Sequence, residues 1–204
     1  MTEILWFLTR SSGVVALVLI VAAVADGLIF SGREGGRRLR PAWWMDLHRG
    51  LGGYALIFTG IHLVTAYGAD LGVTLSEIFL PNASDQFTFA FTLGVLALYA
   101  MVLTVFTSWP KRLLRRRVWH ALHLLSIPAA IAVGVHGYQL GTDATSPWYL
   151  ALMVALTALV TYPLGLRLSG IVNRRRDRGD QALPTAPPAR PSTEGRVLVD
   201  AGHP

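Results

Sequence analysis

The chain has 204 residues, of which 52% are hydrophobic and only 15% charged, with a mean hydropathy of +0.46. A soluble domain of this size needs more surface charge, so this is a membrane composition, and the apolar residues fall in blocks of about 20, the length that crosses a hydrocarbon core of about 30 Å. The absence of cysteine excludes disulfides and thiolate-held cofactors and leaves histidine as the main metal ligand, while the net charge of +6 concerns orientation and lipid head groups, with no base-reading motif to suggest nucleic acid.

The N-terminus has no charged stretch before its first apolar run, which predicts a retained span rather than a cleaved signal. Residues 1–12 carry Trp6, Phe7 and Arg10 as an interfacial flank, and the first span is expected at 13–30. Asp26 lies about a turn from its far end, where it is expected to reach Arg33 or Arg37 or to sample the interface, as a satisfied interfacial carboxylate rather than a proton relay. A Gly/Arg-rich loop over 31–45 ends in Pro41, Trp43 and Trp44, and the second span follows at 46–67. Between 68 and 86, Leu71, Leu75, Ile78 and Phe79 recur at helical spacing, which predicts a short interfacial helix stopped by Pro81.

The third span, 87–108, is expected to hold no buried ionisable residue, and Thr88, Thr92, Thr104 and Thr107 are expected to bond back to their own helix. A basic loop with Lys111, Arg112 and Arg115 to Arg117 leads into the fourth span at 118–138. The fifth, about 148–168, contains Pro163 as an expected kink. Beyond Asn173 the chain turns charged and then Pro/Ala-rich, which predicts a disordered cytoplasmic tail over 173–204 after a transmembrane domain over 1–172.

Charge gives an expected orientation for this all-α bundle of five transmembrane helices. The loops at 31–49 and 109–119 carry five Lys/Arg each and the region from Arg167 carries seven, whereas only Arg10 falls on the other side. The positive-inside rule then puts the N-terminus outside and the C-terminus in the cytoplasm, as in a multi-pass protein of the cell's inner (plasma) membrane. The second and fourth spans run parallel.

Those two spans hold the polar residues that most need partners. His48 and His62 are fourteen positions apart and His123 and His136 thirteen, so the separations along the axes match at about 21 and about 20 Å. On parallel helices this makes two levels, each with two imidazoles able to clamp one flat ligand, which points to two b-type haems. A fourteen-residue step returns to within about 40° of the same face but a thirteen-residue step misses by about 140°, so the fourth span has to bend or rewind, with Pro128 placed to help. Gly50, Gly52, Gly53, Gly60, Gly134 and Gly137 are expected to leave room for a macrocycle or a neighbouring helix. His120 matches the other helix less well than His123, and is left either to hydrogen-bond a haem propionate or to sit solvated at the interface. Arg10 is either a salt-bridge partner for the outer haem's propionate or an interfacial anchor.

The stretch RRRVWHALHLL, with its second histidine thirteen positions on, and the stretch HRGLGGYALIFTGIHLVTAY resemble the ferric reductase-like transmembrane domain of NADPH oxidases, ferric reductases and the haem subunit of methionine sulfoxide reductase. LWFLTRSSGVVALVL and VHGYQLGTD resemble its stand-alone bacterial members. The resemblance, over roughly residues 4–168, implies a bis-haem domain pairing His48 with His123 and His62 with His136 and moving electrons across the membrane. The chain departs from the oxidases in having five spans where six are usual and in lacking flavin and nicotinamide domains. A separate donor, flavoprotein or quinone, and an acceptor across the bilayer are therefore implied. The rival readings are a quinone-linked haem anchor feeding an extracytoplasmic reductase, and a haem-free metal or proton transporter or scaffold.

Overall fold

A computed structural model describes residues 2–31, 42–69, 71–108 and 114–181. The elements are α1 (Thr2–Ser31), α2 (Ala42–Gly68), α3 (Leu75–Phe79), α4 (Thr88–Ser108), α5 (Arg116–Leu124), α6 (Ser126–Leu140) and α7 (Pro147–Gln181). No strand occurs among the described residues. Only helices or closed barrels satisfy backbone polar groups in hydrocarbon, and among the described residues five stretches are long and apolar enough to cross: Glu3–Ser31, Trp43–Gly68, Thr88–Ser108, Arg116–Leu140 and Pro147–Asn173. This is a multi-pass helical membrane protein.

The first unit of the chain, Met1–Arg167, is built from two helix pairs. α1 lies along α2, α4 lies along α6, and α1 also meets α6. The apolar core comprises Ile20, Val24 and Leu28 of α1, Ala55 of α2, Met101 of α4 and Ala130 of α6. Ala55 falls midway between His48 and His62 and Ala130 midway between His123 and His136. The core is thus an apolar plug separating the two histidine levels. Its small residues let the backbones come close, which is how helices gain packing energy where lipid offers no hydrophobic drive.

α1 starts earlier than expected. The segment expected as a flank forms its first turns, because nothing before Gly13 breaks a helix, and Arg10 therefore sits inside a helix. The fourth span is divided, as its histidine spacing demanded, and the break falls at Leu125. Pro128 has no N–H for the Leu124 carbonyl and crowds it, so the helix gives way one turn earlier. There the Leu125 amide bonds to Leu122 O at 3.1 Å, a 3₁₀ closure. Each such residue adds about 20° of winding and about 0.5 Å of rise over an α-helical one. Such winding lengthens the thirteen-residue step and turns it toward the required face, and the bend supplies the rest.

α3 is opened by a capping box in which the Thr74 hydroxyl accepts from the Glu77 amide and Glu77 accepts from the Thr74 amide. These bonds hold the Glu77 carboxyl below its ordinary range. Ile78 is buried and Leu71, Leu75 and Phe79 are exposed. After Pro81, Asn82 turns the chain with φ 61°, a conformation Asn tolerates, and its amide donates to Thr92 Oγ1 at 2.9 Å. Of the four threonines in the third span, Thr88 and Thr107 bond back to carbonyls four residues earlier, whereas Thr92 holds Asn82 and Thr104 reaches Leu122 O of α5. Pro163 does not end α7, which continues to Gln181, beyond the expected start of the tail. The rest of that tail, 182–204, lies outside the described residues, as do Arg33, Arg37, Pro41, Asp70, Lys111 and Arg112.

Candidate haem-binding site

At one level, the rings of His48 and His123 face each other with centres 5.8 Å apart and planes inclined by 56°. At the other, His62 and His136 lie within electrostatic reach. α2 and the α5–α6 span therefore run in the same direction. His120 is exposed and turned to its neighbour Trp119, with ring centres 6.3 Å apart, so α5 presents His123 and not His120 to His48.

Each imidazole spends Nδ1 on a neighbouring helix. His62 Nδ1 donates to Thr9 O at 2.8 Å, and His136 Nδ1 donates to Ala90 O at 2.8 Å. His48 Nδ1 lies 3.2 Å from Asp26 Oδ2. His123 Nδ1 lies 3.3 Å from Ser108 Oγ, whose proton goes to Thr104 O at 2.7 Å, so the serine accepts from the ring. A carbonyl can only accept, which sets the tautomer of His62 and His136: Nδ1 carries the proton and Nε2 keeps its lone pair for a metal. Among the described residues no hydrogen bond engages Nε2 of these rings.

α1 thus positions the histidines of α2, and α4 those of α5 and α6. Glycines make this possible. A Cβ on Gly13 would stand 2.9 Å from His62 Nδ1, one on Gly94 would stand 2.8 Å from both Nδ1 and Cε1 of His136, and one on Gly27 would stand 3.2 Å from His48 Cε1. Gly13 and Gly94 each lie four residues after the carbonyl that accepts from the ring. In a helix that carbonyl already accepts from the glycine amide, and only a missing side chain leaves it reachable by a second donor.

Of the glycines expected to make room, three meet a neighbouring helix and three border open space. Gly50, Gly53 and Gly60 border open space, Gly52 approaches Val105, Gly134 faces Met153, and Gly137 faces the Tyr149 hydroxyl. Gly50 and Gly53, with Tyr54 and Ile57, line a shallow groove of about 260 Å³. At fourteen residues apart on α1, Gly13 and Gly27 repeat the spacing of His48 and His62 on the antiparallel α2, a signal the sequence carried.

One further expectation changes, and Arg10 gains a partner. Asp26, 7% exposed, is not an interfacial carboxylate but the partner of His48. Arg10 forms a two-point ion pair with Asp143, in the loop before α7, and lies over the Trp6 ring at 5.0 Å. Asp143 thus faces the Arg10 guanidinium with a carboxylate.

The donor set fits haem. Among the described residues no three His, Asp or Glu side chains converge, and a bare metal ion generally asks for three or four protein ligands, whereas a porphyrin brings its own four nitrogens and needs only axial ones. Two imidazoles trans on one metal at about 2 Å each have ring centres about 6 Å apart, close to the spacing of His48 and His123. Trp119 stacks on His123, and Nε1 of Trp44 and of Trp119 are buried without a hydrogen-bond partner among the described residues. A buried unsatisfied donor costs about 1–3 kcal/mol, so these two atoms ask for an acceptor.

Residues 12–134 match the family described as ferric reductase like transmembrane component, and the chain belongs to that family. It is a membrane oxidoreductase-type component. Domains of the family generally bind haem and usually work with a separate electron donor. The match contains His48, His62 and His123 and stops two residues before His136. No curated protein and no solved structure matches the chain.

Proposed function

We propose that this protein carries electrons across the membrane on two b-type haems, one held by His48 and His123 and the other by His62 and His136. The observation that supports this most is the shared orientation of four imidazoles, each with Nδ1 committed to a neighbour and Nε2 free. Bis-imidazole haem has no open coordination position and exchanges single electrons, which suits it to transfer rather than oxygen binding. Asp26, Thr9 O, Ser108 and Ala90 O hold Nδ1 of the four imidazoles and so orient the rings. His120 and Arg10 stand outside this ligand set, as an exposed imidazole and an ion-paired anchor. With no nicotinamide or flavin motif in the chain, the donor is a separate flavoprotein or quinol, and the acceptor is a second protein or small oxidant across the bilayer.

The arginine distribution supports an N-terminus outside and a C-terminus in the cytoplasm of the cell's inner (plasma) membrane, with the His48 level on the cytoplasmic side and the tail from 173 beyond it. A reporter active only after export, fused behind Asn173, is expected to stay silent, and strong activity there reverses the orientation.

The function is tested in sealed proteoliposomes loaded with ferricyanide and given a membrane-impermeant reductant outside. Internal ferricyanide is expected to be reduced with the wild-type protein and not with His62→Ala. Equal rates for both proteins, or no reduction with either, reject the reading. The same assay started with a lipid-soluble quinol separates a quinone-linked anchor from a component served by a flavoprotein.

A further inference from the structure

Trp44 and Trp119 occupy equivalent places. Each lies four residues before a histidine of the first level, Trp44 before His48 on α2 and Trp119 before His123 on α5. Residues four apart share a helix face, and the Trp119 indole stacks on the His123 ring with centres 5.0 Å apart and planes 20° apart. The two helices run in the same direction, so both indoles lie about 6 Å along the axis toward the same end. At both residues Nε1 is buried with no acceptor among the described residues. An indole N–H is a donor and nothing else. Two such donors, repeated at matching positions around one pair of imidazoles, ask for a ligand with two acceptors at that edge.

We propose that Trp44 and Trp119 donate their indole N–H groups to the carboxylate side arms of the haem held by His48 and His123. This inference rests on the haem reading above and extends it to the orientation of the macrocycle, with its carboxylates toward the N-terminal ends of α2 and α5. A hydrogen bond from a neutral donor to a carboxylate is among the stronger kinds. An anionic phospholipid phosphate offers the same acceptor chemistry, and the experiment below separates the two sources.

The test uses the full-length purified protein, freed of haem and reconstituted with haem b or with its dimethyl ester, which keeps the ring and iron and loses the carboxylate charge. Trp44→Phe and Trp119→Phe retain an aromatic ring and remove the donor. For haem b, each is expected to weaken first-level binding about ten-fold, the worth of one such hydrogen bond, and for the dimethyl ester to change it little. The indole N–H vibration of Trp119 is expected to shift when haem b binds and not when the ester binds. Equal weakening for both haems, or no weakening for either, overturns the proposal, because the ring and not its N–H then matters. A vibrational shift that follows added phosphatidylglycerol instead of haem b assigns the donors to lipid and also overturns it. If wild-type protein binds haem b and ester but the variants do not distinguish them, this inference alone fails. If wild-type protein takes up neither, the haem reading fails with it.

Discussion

Replacing His123 by alanine is expected to remove about half of the low-spin haem spectrum, leaving the His62/His136 level intact. Replacing His120 by alanine is expected to remove none of it. The asymmetry follows from the arrangement of α5: His123 faces His48 across 5.8 Å and is backed by Ser108, while His120, one turn earlier, is exposed. Loss of one axial imidazole leaves iron with a single protein ligand, so the affected haem either dissociates or turns high-spin, and optical and electron paramagnetic resonance spectra of the purified variants distinguish the two. Retention of full low-spin haem in His123→Ala, together with its loss in His120→Ala, would contradict the assignment and the winding of the fourth span behind it.

The second large effect is expected from a single methyl group. Gly94→Ala places a Cβ 2.8 Å from two atoms of the His136 ring, closer than van der Waals contact allows. A planar ring tied to Ala90 O cannot yield as the end of a flexible chain would, so either the hydrogen bond or the direction of Nε2 is lost. Overpacking of this kind costs about 1–3 kcal/mol, and here it falls on a metal ligand. About half of the low-spin haem is expected to disappear or to broaden its resonance, with Gly13→Ala acting in the same way through His62. Alanine favours a helix by about 0.5–1 kcal/mol over glycine, so a loss cannot be charged to helix propensity. Gly60→Ala is the control, since nothing lies within 4 Å of that position. Spectra of Gly94→Ala and Gly60→Ala that match each other would show that the cradle does not position His136.

The five spans and the opposed histidines were legible because the signals are strong. Runs of apolar residues at membrane length have few alternatives, and imidazoles within them stand out. The thirteen-residue step even required a rewound helix, and the break at Leu125 answers it one turn before Pro128. What supports the rings was harder to see. Thr9 and Ala90 act through backbone carbonyls, which every residue has, so no residue type marks them. Gly13 and Gly27 did carry a signal in their spacing, but only once α1 is known to lie antiparallel along α2, and Gly94 carried none. Asp26 falls in the same class. Near the end of one span it looked like an interfacial carboxylate, and its role emerges only when the hairpin brings His48 beside it. Arg10 and Asp143 are 133 positions apart, and their pairing depends on a loop meeting a helix end, which local pattern does not encode.

The central claim, a bis-imidazole haem at each of two levels, is tested most directly by the haem content of the purified protein. Pyridine haemochrome and amino-acid analysis on one sample are expected to give a haem-to-chain ratio of about two with a low-spin b-type spectrum. A ratio near zero would contradict haem binding altogether, and a ratio near one would show that one of the histidine pairs is not a site.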